Sequence, residues 1–104
     1  MKYLVNAFSL NMLSTFPAQL HVDEISLDEA RVELVRGFTN VVGHADTAAV
    51  FASQLGLLVE AARINLSLTK GDELIVGQYR GPRLPEGCKT LPDGATIQWL
   101  RVSV

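Results

Sequence analysis

The chain is short of the residues that build metal centres and disulfide frameworks: 104 residues include one cysteine, Cys88, and two histidines, His21 and His44. A lone cysteine excludes an internal disulfide and a thiolate cluster. The two histidines are far apart and lack ligand-type spacing, whereas a zinc site needs three or four convergent ligands. No metal and no cofactor is therefore expected. An excess of basic residues is missing too. Nine Lys and Arg stand against eleven Asp and Glu, a formal net charge of -2, which argues against a surface that coats DNA or RNA. A polyanionic ligand would have to be small and meet its cations in a local pocket. Nor is there a long apolar run. Met1-Lys2-Tyr3-Leu4-Val5 meets polar Asn6 at once, so neither a signal peptide nor a membrane span is expected, and the setting these features favour is a reducing cytoplasm. Internal repeats and low-complexity tracts are likewise absent.

What is present describes one globular domain over residues 1–104. The apolar fraction of 48% and charged fraction of 19% are ordinary for a folded protein. A chain this short buries a core only marginally by itself, so a partner subunit would help.

Residues 2–8 read as a first strand, from their β-formers and their shortness. Ser9 can cap a short turn over Leu10–Leu13, which Pro17 ends by biasing Phe16 away from helical torsions. Residues 19–25 alternate, with Leu20, Val22 and Ile25 inward and His21 and Asp23 outward. Ser26-Leu27-Asp28-Glu29 forms a capping box, opening a helix with Leu27, Ala30, Leu34 and Val35 near one face and Gly37 as its stop. A second helix starts at Asp46 or Thr47 and runs to Gly56, with Ala48, Phe51, Ala52 and Leu55 on its apolar face. Residues 62–68 alternate strictly, Thr69–Asp72 is a turn, and Glu73–Tyr79 is the returning strand of a hairpin. Arg80 to Gly94 is a Gly- and Pro-rich surface loop, and Thr96–Val104 is a closing strand with Ile97 and Trp99 on one side. The predicted class is α+β, a mixed, largely antiparallel sheet with two helices packed on it.

Three polar clusters could hold chemistry: Asn6, Ser9 and Asn11 at the end of the first strand; Gly43-His44 ahead of a helix; and Arg63, Gln78, Arg83 and Glu86. A histidine before a helix N-terminus lies beside free amides and a positive dipole end, which suits phosphate. It fits a surface residue that helps to cap the helix equally well. Arg63 and Arg83 are either bidentate phosphate grips or solvated surface charges. Glu86 fits a turn carboxylate, and Asn6 and Asn11 fit turn residues. Trp99 reads as core rather than as a platform for a base. Cys88 has no evident base beside it, which disfavours a thiolate nucleophile.

The run Tyr3-Leu4-Val5-Asn6-Ala7-Phe8-Ser9-Leu10-Asn11-Met12-Leu13 closely resembles the opening of the viral type III anti-CRISPR ring nuclease family, which has bacterial CRISPR-associated relatives. Gly43-His44-Ala45-Asp46-Thr47 looks like that family's glycine-histidine-x-x-threonine element. Arg63 falls where the family has an arginine opening a strand. Gln78, Arg83-Leu84 and Glu86-Gly87 look like its glutamine, arginine-leucine and glutamate-glycine positions. The stretch Arg80-Gly81-Pro82 is about one residue longer than the family's spacing. Either Arg80 or Arg83 can therefore hold the arginine place, Arg83 being preferred because Leu84 follows it. From Cys88 onward the match is poor.

The resemblance implies a homodimer that holds cyclic tetra-adenylate at its interface and cuts it without a metal, switching off type III CRISPR signalling. It casts His44 and Glu86 as catalytic, and Asn6, Ser9, Asn11, Arg63, Gln78 and Arg83 as ligand-binding. The alternative is a sponge of the same fold, which holds the ring without cutting it and needs only donors and cations. No DNA and no membrane enter either reading.

Overall fold

The computed structural model describes all residues from Met1 to Val104. Local signals set both helices. Helix α1 (Leu27–Val35) starts at the capping box, in which Ser26 accepts from the Glu29 amide and the Glu29 side chain accepts from the Ser26 amide. Helix α2 (Ala45–Leu55) stops at Gly56, whose φ of 67° lies in the left-handed region that a C-terminal cap needs. Its start falls one residue before the expected Asp46 or Thr47, so His44 itself is the N-cap. Arg31 of α1 donates to the Leu55 and Gln54 carbonyls at 2.7 and 3.2 Å. A cation thus meets the negative end of α2 and ties the helices together.

Five strands complete the fold: β1 (Lys2–Val5), β2 (His21–Ile25), β3 (Thr39–Asn40), β4 (Glu73–Arg80) and β5 (Thr96–Ser103), in the spatial order β2-β5-β4-β1-β3. Strand β5 pairs antiparallel with β4 over eight residues and with β2 over five. Strand β1 pairs parallel with β4 over four residues and with β3 over two. The sheet is mixed and mostly antiparallel with two helices packed on it, as the sequence predicts, and both helices lie on one face.

Several details differ. The first strand ends at Val5 rather than residue 8, because the chain bends at Asn6 toward a 3-10 turn over Leu10–Met12 that Ser9 caps. Strand β2 has the opposite phase to the one expected. Ile25 is buried and Asp23 half-buried on the helix side, whereas Val22 is 54% exposed on the other. An edge strand can leave an apolar residue in solvent because nothing lies beyond it. Val35 of α1 is likewise exposed. The hairpin through residues 62–68 does not form. That segment is irregular and joins no ladder, apart from a single parallel bridge between Leu13 and Leu68. Strand β4 takes β1 and β5 as its partners instead.

The core lies in two layers, one on each side of the sheet. On the helix side Leu4, Ile75 and Trp99 meet Ala30, Leu34, Ala48, Phe51 and Leu55. Gly77 of β4 faces this layer. A Cβ there would lie 2.5 Å from the Phe51 ring and 2.8 Å from Trp99, so only glycine lets the aromatic pair close on the strand. On the other side Val5, Leu74, Val76 and Val102 are covered by Leu13 and Leu68 from irregular segments.

Candidate functional site

Where β1 ends and α2 begins, an open groove of about 320 Å³ is lined by Asn6, Met12, Gly43, His44, Arg63 and Asn65, among others. The bend at Asn6 frees its side chain from the sheet. Gly43 delivers the chain to the helix start, and Arg63 lies across it, its Nε donating to the Gly43 carbonyl at 3.1 Å. The two terminal guanidinium nitrogens of Arg63 have no partner, which leaves a bidentate fork open. His44 is exposed and makes no side-chain capping bond. Its imidazole is therefore not occupied by holding the helix, although its backbone is the cap. The first amides of α2 lack intrahelical partners, as at any helix start. Groove, imidazole, guanidinium and amides together form a place where a phosphodiester can be gripped and a proton supplied.

The remaining expected residues stand at graded distance from this centre. Ser9 and Asn11 sit on the 3-10 turn whose Met12 lines the groove, and Ser9 Oγ accepts from the Asn11 amide at 3.2 Å. Gln78 lies on β4, on the same sheet face as Val76 and its partner Val5 but outside the groove lining. Glu86 and Arg83 belong to the exposed loop after β4 and do not line the groove. That loop is fixed to α2 by one bond, from the Gly87 amide to Asp46 Oδ1 at 3.2 Å. It brings Glu86 next to the first helical turn without a hydrogen bond to His44. Arg80 and Arg83 differ plainly: Arg80 donates to Gln98 at 2.8 Å, whereas Arg83 is exposed and unpaired. The segment holding Arg63 is irregular, not the strand the sequence suggests.

Three residues escape the sequence reading. Asn65 stands two places after Arg63 and lines the same groove, as does Ile64 between them; its nearness to Arg63 in the chain is the signal that could have found it. Gln98 and Glu24 join Gln78 and Arg80 in one polar row (below), and no local pattern marks them. Away from the groove, Cys88 Sγ lies 3.0 Å from the Thr90 carbonyl, with no base beside it. No three His, Cys, Asp or Glu side chains converge as metal ligands would. A larger hollow of about 830 Å³ includes His21 and Lys70 among its lining but gathers none of the expected residues. No helix is long and apolar enough to cross a membrane.

Fold and groove define a class: a small α+β protein whose five-stranded mixed sheet presents an anion-suited groove at a helix N-terminus. Within that class the chain belongs to the STIV B116-like family, whose model matches residues 2–93. This is the viral family to which the Tyr3–Leu13 run points. The solved structure of B116 of Sulfolobus turreted icosahedral virus superimposes with a TM-score of 0.85 at 26% identity, covering 99% of this chain and 98% of that one. A search of curated proteins finds no match.

Proposed function

We propose that the protein is a ring nuclease: two copies hold cyclic tetra-adenylate between them and cut it without a metal, ending its signal in type III CRISPR defence. The observation that carries this reading is the free imidazole of His44, set in one groove with Asn6 and the open fork of Arg63. A ribose 2′-hydroxyl attacks its own 3′-phosphate in line, its proton passing to solvent water as the 2′-O–P bond forms and the P–O5′ bond breaks, giving a 2′,3′-cyclic phosphate and a free 5′-hydroxyl. The nucleophile belongs to the substrate. The protein's tasks are to hold the sugar in attack geometry, to stabilise charge on the phosphorane through Arg63 and Arg83, and to protonate the departing 5′-oxygen from His44. Asn6, Ser9, Asn11 and Gln78 bond the ring's sugars, phosphates and adenine edges. Glu86 orients His44 once the loop closes on the ligand.

A four-nucleotide ring contains a two-fold axis, so two identical grooves can meet its two halves with the same contacts. One groove of about 320 Å³ lies at the low end of small-molecule sites, which suits half a ring rather than a whole one. Leu10, 66% exposed on the 3-10 turn, and Ile64, 50% exposed at the groove, offer apolar surface for a second copy to cover.

The test is incubation of purified protein with labelled cyclic tetra-adenylate in excess EDTA. Linear products ending in a 2′,3′-cyclic phosphate are expected. Tight retention without turnover would make the protein a sponge, and absence of binding would overturn both readings. His44→Ala should slow cleavage by roughly 10²–10⁴-fold, the usual range for a general acid, with ligand affinity nearly unchanged.

A further inference from the structure

Across the face of the sheet opposite the helices, three strands contribute a connected row of polar side chains. Gln78 of β4 and Gln98 of β5 are register partners, as are Arg80 and Thr96. Glu24 of β2 pairs with Leu100, two residues along β5 from Gln98, which brings it within diagonal reach. Gln98 Nε2 donates to a Glu24 carboxylate oxygen. Gln98 Oε1 accepts from Arg80 at 2.8 Å and from Gln78 Nε2 at 3.3 Å.

The chemistry of the two ends removes the usual freedom of an amide to turn over. An ionised carboxylate only accepts hydrogen bonds, and a guanidinium only donates them. Glu24 therefore requires the amino end of the Gln98 amide, and Arg80 requires its oxygen. With that oxygen facing β4, Gln78 must present its own amino group to Gln98. The Gln78 carbonyl oxygen is left over. It makes no hydrogen bond, and no buried side-chain polar atom in the molecule lacks a partner, so this oxygen is open to the surroundings. Gln78 stands two residues along β4 from Val76, the register partner of Val5, and shares a sheet face with Val5, which lines the groove.

We infer that Glu24 and Gln98 are positioning residues that fix Gln78 as a hydrogen-bond acceptor, so that the site prefers a purine with a 6-amino group over one with a 6-oxo group. The inference rests on the ring-nuclease reading and adds to it a base-selecting device and a task for β5, beyond the span the family model matches. An adenine 6-amino group donates to the Gln78 oxygen. A hypoxanthine ring sets its own carbonyl against that oxygen, leaving two acceptors face to face. One such contact discriminates by roughly 10- to 100-fold.

The experiment compares kcat/KM on cyclic tetra-adenylate with that on cyclic tetra-inosinate. The adenine ring should be preferred by about 10-fold or more. Gln98→Met keeps the bulk but frees the Gln78 amide, and should cut the preference to below about three-fold, a loss of most of that single-contact discrimination. The double variant Glu24→Gln with Gln98→Glu exchanges donor and acceptor along the row while Gln78 still faces an oxygen, and should restore the preference. A role in stability alone would lower activity on both rings equally and leave the ratio unmoved. Equal cleavage of both rings by the unaltered protein would overturn the inference while the ring-nuclease reading stood. A double variant as unselective as Gln98→Met would overturn the relay. Failure to bind or cut either ring would remove the ring-nuclease reading, and this inference with it.

Discussion

The two faces of the sheet are closed by different means. On one, two capped helices lay Ala30, Leu34, Ala48, Phe51 and Leu55 against the strands, with the Phe51 and Trp99 rings 5.1 Å apart over Gly77. On the other, Leu13 and Leu68 arrive from segments with almost no ladder of their own, held by bonds such as Leu68 to Met12 and Ser14 to Leu68. Most candidate binding residues stand on the irregular side or at its rim. Regular packing on one face holds the sheet rigid, and the other face is free to place polar side chains where a ligand needs them. Most of the polar candidates thus lie across the sheet from the helical packing, while His44 reaches the groove from the helix side, at the start of α2.

One pair of variants tests that division at constant chemistry. Leu55→Ala, beneath the helices, should cost about 4 kcal/mol in denaturant unfolding, near the upper part of the range for buried leucines, since close packing there cannot collapse into the cavity. Leu68→Ala, equally buried, should cost only about 2 kcal/mol because its irregular neighbours can settle inward. Equal losses would break the comparison. Gly77→Ala should cost about 2 kcal/mol by forcing the aromatic pair off the strand, and a structure of the variant should show the Phe51 ring displaced. Ser26→Ala, removing half of the capping box, should lower stability by about 1 kcal/mol.

The smallest effect concerns acid. Lys2, hydrogen-bonded to Glu33 at 2.6 Å, holds the Glu33 carboxyl below its usual value of 4.5, and Arg101 assists. A carboxyl whose folded pKa is depressed adds stability above its unfolded pKa and loses it as pH falls through the folded one. Thermal melts should therefore show Glu33→Gln less stable than the parent above about pH 4.5, with the gap closing in stronger acid. Asp23, held low by Arg101, acts in the same sense. Both carboxylates pair with sheet residues that face the helix side, and Asp72, held low first by the Thr69 amide, adds a third acid-sensitive contact at the turn before β4.

Short-range patterns were readable in the sequence and long-range ones were not. The Ser26–Glu29 box, the Gly56 stop and the strands β4 and β5 rest on residues a few places apart, and each is found where expected. The alternation of Ile64, Leu66 and Leu68 reads as a strand, yet burial rises only toward Leu68 while Ile64 stays exposed, and period-two spacing does not say whether a ladder partner exists. Strand β3 is only two residues long, too short to leave a pattern. At the site, the His44 position was legible because Gly43 and the helix start are its neighbours. The row of Glu24, Gln98 and Gln78 was not, because only the register across three strands brings those residues together.

The placement of β1 between β3 and β4 has a consequence for how the chain is made. Its longer partner begins at Glu73. At roughly 5–20 residues per second of synthesis, β1 waits on the order of 4–15 s for that partner to exist, with only two residues of β3 to pair with in the meantime. Closing so long a loop is slow compared with forming either helix. Strand β2 waits longer still, since its partner β5 is made after β4, and the groove that begins where β1 ends takes shape only after β4 has docked.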